Sequence, residues 1–156
     1  ALSHRLTPRS AMPTRTARTA WNGTLEQGSG QVEMTSSRVG TYEVSFPKRA
    51  AEEADGTTSP EEMVAAAHSS CYAMRFSALA AQTGGTPQSV EVTADVSLGS
   101  DPAGGLRLTG IKLTVRGEVD GLDAAAFERV AQEAKASCPV SKALTGVPIL
   151  LDAAME

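Results

Sequence analysis

Over residues 90–98 apolar and polar side chains alternate without a break, Val90, Val92, Ala94, Val96 and Leu98 against Glu91, Thr93, Asp95 and Ser97. A period of two puts every apolar residue on one face, so the run predicts a strand with one side in a core. Residues 101–105 carry turn formers, and 106–119 resume the alternation, with Leu108, Ile111, Leu113 and Val115 opposing Lys112, Arg116 and Glu118. The two runs predict one long antiparallel hairpin. The period lengthens to that of a helix from residue 60 to about 82. Ser59 caps this segment, Pro60 takes its first position, Glu61 and Glu62 fill its first turn, and Gly84, Gly85 and Pro87 stop it. A second helix is predicted from 123 to about 137, where Ala124, Phe127, Val130, Ala131 and Ala134 share a face. Pro139 interrupts that pattern and begins a short helix over 139–144, and 147–153 read as a closing strand.

The first part of the chain is patterned in shorter pieces. Thr19-Ala20-Trp21, Thr24-Leu25-Glu26, Gln31 to Thr35 and Thr41 to Phe46 alternate between breaks at Asn22-Gly23, at Gly28-Ser29-Gly30 and over 36–40. This predicts a β-meander of about three strands, followed by a polar connection over 47–58 that contains Lys48 and Arg49. Strands, a long helix, a hairpin, helices and a last strand make an α+β domain. The expected organisation is an N-terminal arm over 1–15, disordered or extended, and a single domain over 16–156.

Composition narrows the function more than the fold. With 156 residues and 41% apolar content the chain can bury a core, but only six residues are aromatic, so Ala, Val, Leu and Met must fill it. A net charge of -4 offers no general attraction to phosphate or anionic lipid, although the first eighteen residues hold four Arg and no acid. Neither nucleic acid nor a membrane is an expected partner. The start shows no apolar run of seven residues, Met12-Pro13 reads as an internal start, and nothing later approaches eighteen apolar residues in succession. The expectation is a cytoplasmic protein.

The only two thiols, Cys71 and Cys138, both stand in helical context. Cys71 lies within the long helix, and Cys138 falls at the cap or in the first turn of the helix begun by Pro139, where thiol pKa values fall. Three readings are open: buried thiols that merely pack, a disulfide or redox pair, and a metal site using His68, three residues before Cys71, with Cys138. Metal is the weakest, because a fourth donor would have to be His4, in the arm, and no metal or other cofactor is expected.

Four segments together carry a resemblance: Gly56-Thr57-Thr58-Ser59-Pro60-Glu61-Glu62, Ala66-Ala67-His68-Ser69-Ser70-Cys71-Tyr72-Ala73-Met74, Ala94-Asp95-Val96-Ser97-Leu98, and Lys135-Ala136-Ser137-Cys138-Pro139-Val140-Ser141. From about Ala20 onward the chain resembles the OsmC/Ohr family, the osmotically inducible protein C and organic hydroperoxide resistance proteins, and its wording is closer to the OsmC branch. The resemblance implies an OsmC-like α+β fold, antiparallel sheets packed around a long buried central helix, in an intertwined homodimer. It also implies a cysteine-based peroxidase that reduces hydroperoxides, organic ones preferred. On that resemblance Cys71 is the peroxidatic thiol, Cys138 the resolving thiol, Arg49 the family's arginine with Lys48 its rival and Arg38 a distant one, and Glu61 the family's helix-start glutamate. An external dithiol, of lipoyl type, would reopen the disulfide.

The chemistry asked of these residues is consistent with their types. A thiol attacks peroxide only as thiolate, and a guanidinium both favours that anion and polarises the departing oxygen. A carboxylate helps there by orienting the guanidinium, the role read for Glu61. Glu61 and Cys71 are ten residues apart on one predicted helix, roughly 15 Å at ~1.5 Å per residue, so either the helix breaks or the Glu and Arg reach across from a second subunit. Phe46, Met63, Tyr72 and Met74, with Phe76, are candidates to receive an alkyl chain, against ordinary core packing. The rival function is a thiol redox sensor or binding protein in which the same cysteines report oxidation without turnover.

Overall fold

The computed structural model describes residues 14–156. The expected arm over 1–15 lies outside the described residues except for its last two positions. The chain forms two compact units, divided between Ser59 and Pro60, each described here by itself.

In the first unit β1 (Arg18–Asn22), β2 (Ser29–Glu33) and β3 (Thr41–Val44) form an antiparallel meander in that order. Thr24, Leu25 and Glu26, read as strand, instead make the turn between β1 and β2, which the Gly28 N–H closes on the Thr24 carbonyl at 2.7 Å. Gly23, at φ 94°, takes the left-handed backbone this reversal needs. The connection after β3 is also more ordered than its polarity suggests. Ser45 accepts the Lys48 N–H and caps a short helix α1 (Phe46–Ala50), with Pro47 in its first turn.

The second unit carries α2 (Pro60–Gln82), β4 (Thr86–Ser100), β5 (Leu106–Asp120), α3 (Ala124–Ser137), α4 (Pro139–Ala143) and β6 (Ile149–Met155). The long hairpin forms as expected, with β4 antiparallel to β5. The closing strand pairs parallel to β5 and leaves β5 in the centre of the sheet. A chain that leaves β5, crosses over through two helices and returns enters the sheet in the same direction, so this edge departs from a purely antiparallel sheet.

Strand alternation and helix periodicity meet in one core. Ile111, Leu113, Val115 and Val119 of β5 face Tyr72, Phe76, Leu79 and Ala80 of α2 and Phe127, Val130, Ala131 and Ala134 of α3, all buried in one cluster. Phe76 and Phe127 meet at a centroid distance of 5.0 Å. The other face of the sheet is polar, and there Arg116 pairs with Asp152 across β5 and β6 at 3.2 Å. α2 is amphipathic only in the sense that one side is packed. Its opposite side presents Ala66, Ala67, Ser70 and Met74, exposed in this chain. Among the described residues no helix is long and apolar enough to cross a membrane.

Candidate active site

The chain break at Pro139 builds the site. α3 ends at Ser137, and α4 starts on Pro139 with Cys138 as its N-cap. The Cys138 N–H still closes α3 on the Ala134 carbonyl at 2.8 Å, so the cysteine is held from both sides. Its side chain turns inward, wholly buried, and meets Cys71 from the middle of α2. The two sulfurs are 3.2 Å apart and both thiols are free. Closing them into a disulfide needs an approach of only about one ångström to the ordinary S–S length of ~2.05 Å.

The surroundings treat the sulfurs differently. Burial pushes the Cys71 thiol up, the Val140 N–H offsets this in part, and Cys138 adds to the rise. Burial also opposes ionisation of Cys138, but the Ser141 N–H, Cys71, the Ser141 hydroxyl and the Val140 N–H together outweigh it and bring this thiol down. The N–H groups of α4 act here as oriented dipoles and not as a closed capping bond, since the Cys138 side chain makes none of ordinary cap geometry.

Around the pair lie polar contacts that the sequence pattern did not single out. Ser141, three residues after Cys138 and nearly buried, lies 2.7 Å from Nε2 of His68, which stands three residues before Cys71 and is wholly buried. Arg75 Nε donates to Ser137 Oγ at 2.8 Å, tying α2 to the end of α3 beside Cys138. Ser141 entered the sequence reading only as the last residue of the segment Lys135 to Ser141, with no role attached. His68 was read as a candidate metal ligand, whereas its Nε2 faces a hydroxyl. Among the described residues no three His, Cys, Asp or Glu side chains are grouped to hold a metal ion.

The remaining candidates fall on several elements of the two units. Glu61 is nearly buried at the start of α2 and Cys71 lies ten residues on along the same unbroken helix, roughly 15 Å away at ~1.5 Å per residue. Arg49 and Phe46 belong to α1 in the first unit. Lys48 is engaged by Asp55 at 3.0 Å, and that contact holds the Asp55 carboxyl below its usual range. Arg38 sits exposed in a turn at φ 60°. Tyr72 is wholly buried and donates its hydroxyl to the Ala131 carbonyl at 2.8 Å, Met63 is half-buried, and Met74, one turn beyond Cys71, is 74% exposed.

Two free thiols within a single contact, one at a helix cap and one inside a packed helix, define a dithiol protein able to close a disulfide with little movement. Residues 53–152 match the family of OsmC-like proteins. The chain is 39% identical to the peroxiredoxin OsmC of Escherichia coli over 80% of its own length and 85% of the relative's. It is 34% identical to the organic hydroperoxide resistance protein OhrA of Bacillus subtilis, over 72% of its length and 79% of that protein's. A crystal structure of an organic hydroperoxide resistance protein OsmC from Legionella pneumophila superposes with a TM-score of 0.74 at 26% identity, covering 93% of this chain and 99% of that one. The chain belongs to the OsmC family, on the OsmC side of the OsmC/Ohr division.

Proposed function

We propose that this protein is a thiol peroxidase that reduces hydroperoxides, organic ones in preference, to alcohols in defence against oxidative and osmotic stress. The observation that carries the reading is the 3.2 Å approach of two free thiols of unlike acidity. The names of its relatives, a peroxiredoxin and an organic hydroperoxide resistance protein, give it its direction. The Cys71 thiolate attacks ROOH, the O–O bond breaks, ROH leaves after taking a proton, and Cys71 becomes a sulfenic acid. Cys138 then displaces that oxygen as water and closes the disulfide. An external dithiol, of lipoyl type, returns both thiols, so no bound cofactor is required.

Within the second unit Cys71 is the less acidic thiol, and a peroxidatic role therefore calls for a cation beside it. Arg49 is the residue assigned that task, with Glu61 orienting its guanidinium. Since α2 runs unbroken between Glu61 and Cys71, the Glu61 that serves a given Cys71 comes from a second copy of the chain, in a homodimer. The exposed small side chains Ala66, Ala67 and Ser70 suit close helix approach in such a pair. Met63 and Met74, with Phe46, are the side chains proposed to receive the alkyl group, and Tyr72 supports them from the core. The cytoplasm, where thiols are kept reduced, is the proposed location.

A steady-state assay with an alkyl hydroperoxide and with H₂O₂, each driven by a lipoyl dithiol or by a monothiol, tests the proposal. Multiple turnover, fastest with the alkyl hydroperoxide and the dithiol, is expected. One stoichiometric oxidation without turnover would replace the enzyme with a redox sensor.

A further inference from the structure

We infer that His68 and Ser141 are positioning residues for the disulfide-forming step, His68 Nε2 holding Ser141 Oγ so that its hydroxyl donates to Cys138 Sγ. The inference rests on the resolving role proposed above for Cys138. In that step the Cys138 sulfur attacks the sulfur of the Cys71 sulfenic acid. An S–S bond forms, the S–O bond breaks, and the departing hydroxide becomes water with the proton that Cys138 has given up. Cys138 is oxidised as the sulfenic sulfur is reduced to the disulfide level, so no outside reagent enters.

The geometry is specific. His68 and Cys71 share one face of α2 at a spacing of three, and Cys138 and Ser141 bear the same relation across the start of α4. The His68 to Ser141 contact, 2.7 Å between residues 73 positions apart, links α2, which carries Cys71, to α4, which Cys138 caps. Both residues are buried where apolar side chains would pack at no polar cost, so the contact offsets a real desolvation penalty. Nδ1 of His68 has no hydrogen-bond partner among the described residues. A buried N–H without an acceptor is rarer and costlier than a lone pair without a donor, which favours the tautomer with its proton on Nε2. His68 is then the donor and Ser141 Oγ the acceptor. The one hydroxyl proton of Ser141 is then free for the sulfur of Cys138, which caps the same short helix three residues earlier, in the direction in which the Ser141 hydroxyl lowers that thiol. Burial keeps the ring neutral, as this arrangement requires.

The test uses the folded full chain in two backgrounds. In the Cys71→Ser protein, titration of thiolate ultraviolet absorbance reports Cys138 alone. Tyr72, the titrating side chain also acting near it, is held well above its ordinary range and stays silent. Ser141→Ala and His68→Leu are each expected to cut the Cys138 thiolate present at neutral pH about tenfold, the effect of losing one hydrogen bond to a charged group. Ser141→Thr and His68→Gln, which keep the hydroxyl and the ε-position donor, are expected to recover it to within about threefold. With both cysteines present, rapid-mixing with an alkyl hydroperoxide should show Ser141→Ala slowing disulfide closure about tenfold more than it slows Cys71 oxidation. An unchanged titration in Ser141→Ala overturns the inference. So does a Thr variant no better than Ala while both lose thermal stability equally, which would make the contact only a pin between helices. Absence of any oxidation of Cys71 by the hydroperoxide, with no disulfide in the unmutated protein and no sulfenic acid in Cys138→Ser, would sink the peroxidase reading instead, and the titration would still decide the roles of His68 and Ser141.

Discussion

His68 shows how one buried side chain couples stability to pH. It is neutral in the folded chain and held below its ordinary value of 6.5 by burial. As pH falls through 6.5 the unfolded chain takes up a proton that the folded chain refuses until lower pH. Stability attributable to this residue is therefore full above 6.5 and drains below it, by at most ~1.4 kcal/mol per pH unit. Denaturant midpoints measured at about pH 7.5 and 5.5 should differ more for the unmutated protein than for His68→Gln, which keeps an ε-position donor but does not titrate. Equal differences would show that the ring protonates while folded. At this scale the cysteines were legible because each stands in an unmistakable helical context, one after Ala66-Ala67-His68-Ser69-Ser70 and one before Pro139. Ser141 was not, since a serine in the first turn of a short helix has many ordinary explanations and its histidine partner is 73 positions away.

The elements followed the pattern where a single period ran long enough. α2, the β4–β5 hairpin and α3 could be placed from periodicity and helix breakers, while Asp123, read as the first residue of α3, is instead its N-cap and accepts the Ala126 N–H at 2.8 Å. Asp123→Ala should cost about 1 kcal/mol in chemical denaturation, and Asp123→Asn only a fraction of that. An Ala variant as stable as its parent would mean that the cap adds nothing beyond what water supplies. Short pieces were read less well. Thr24-Leu25-Glu26 alternates like a strand, yet Gly23 and Gly28 on either side fold it into a turn. Phe46 reads as the end of a strand and 47–50 as a polar connector until the Ser45 hydroxyl is seen to cap a helix over Phe46–Ala50. The parallel pairing of β6 is a property of the crossover through α3 and α4, which no local pattern encodes.

At the scale of the whole molecule the proposal depends on two copies of the chain. An inactive Cys71→Ser chain mixed with inactive Glu61→Ala under subunit exchange should regain a fraction of the parent activity, because one site in each mixed dimer then has an intact Cys71 and an intact Glu61. Mixing with Arg49→Ala asks the same of the guanidinium, and recovery with neither variant would contradict a site shared between two copies. The chemistry itself is tested most directly by intact-mass spectrometry after one equivalent of an alkyl hydroperoxide. The account predicts a chain lighter by two hydrogens with Cys71 and Cys138 joined, and a Cys138→Ser chain that instead gains one oxygen on Cys71. Oxygen gained on Cys138 while Cys71 stays reduced, or two thiols left untouched, would contradict it.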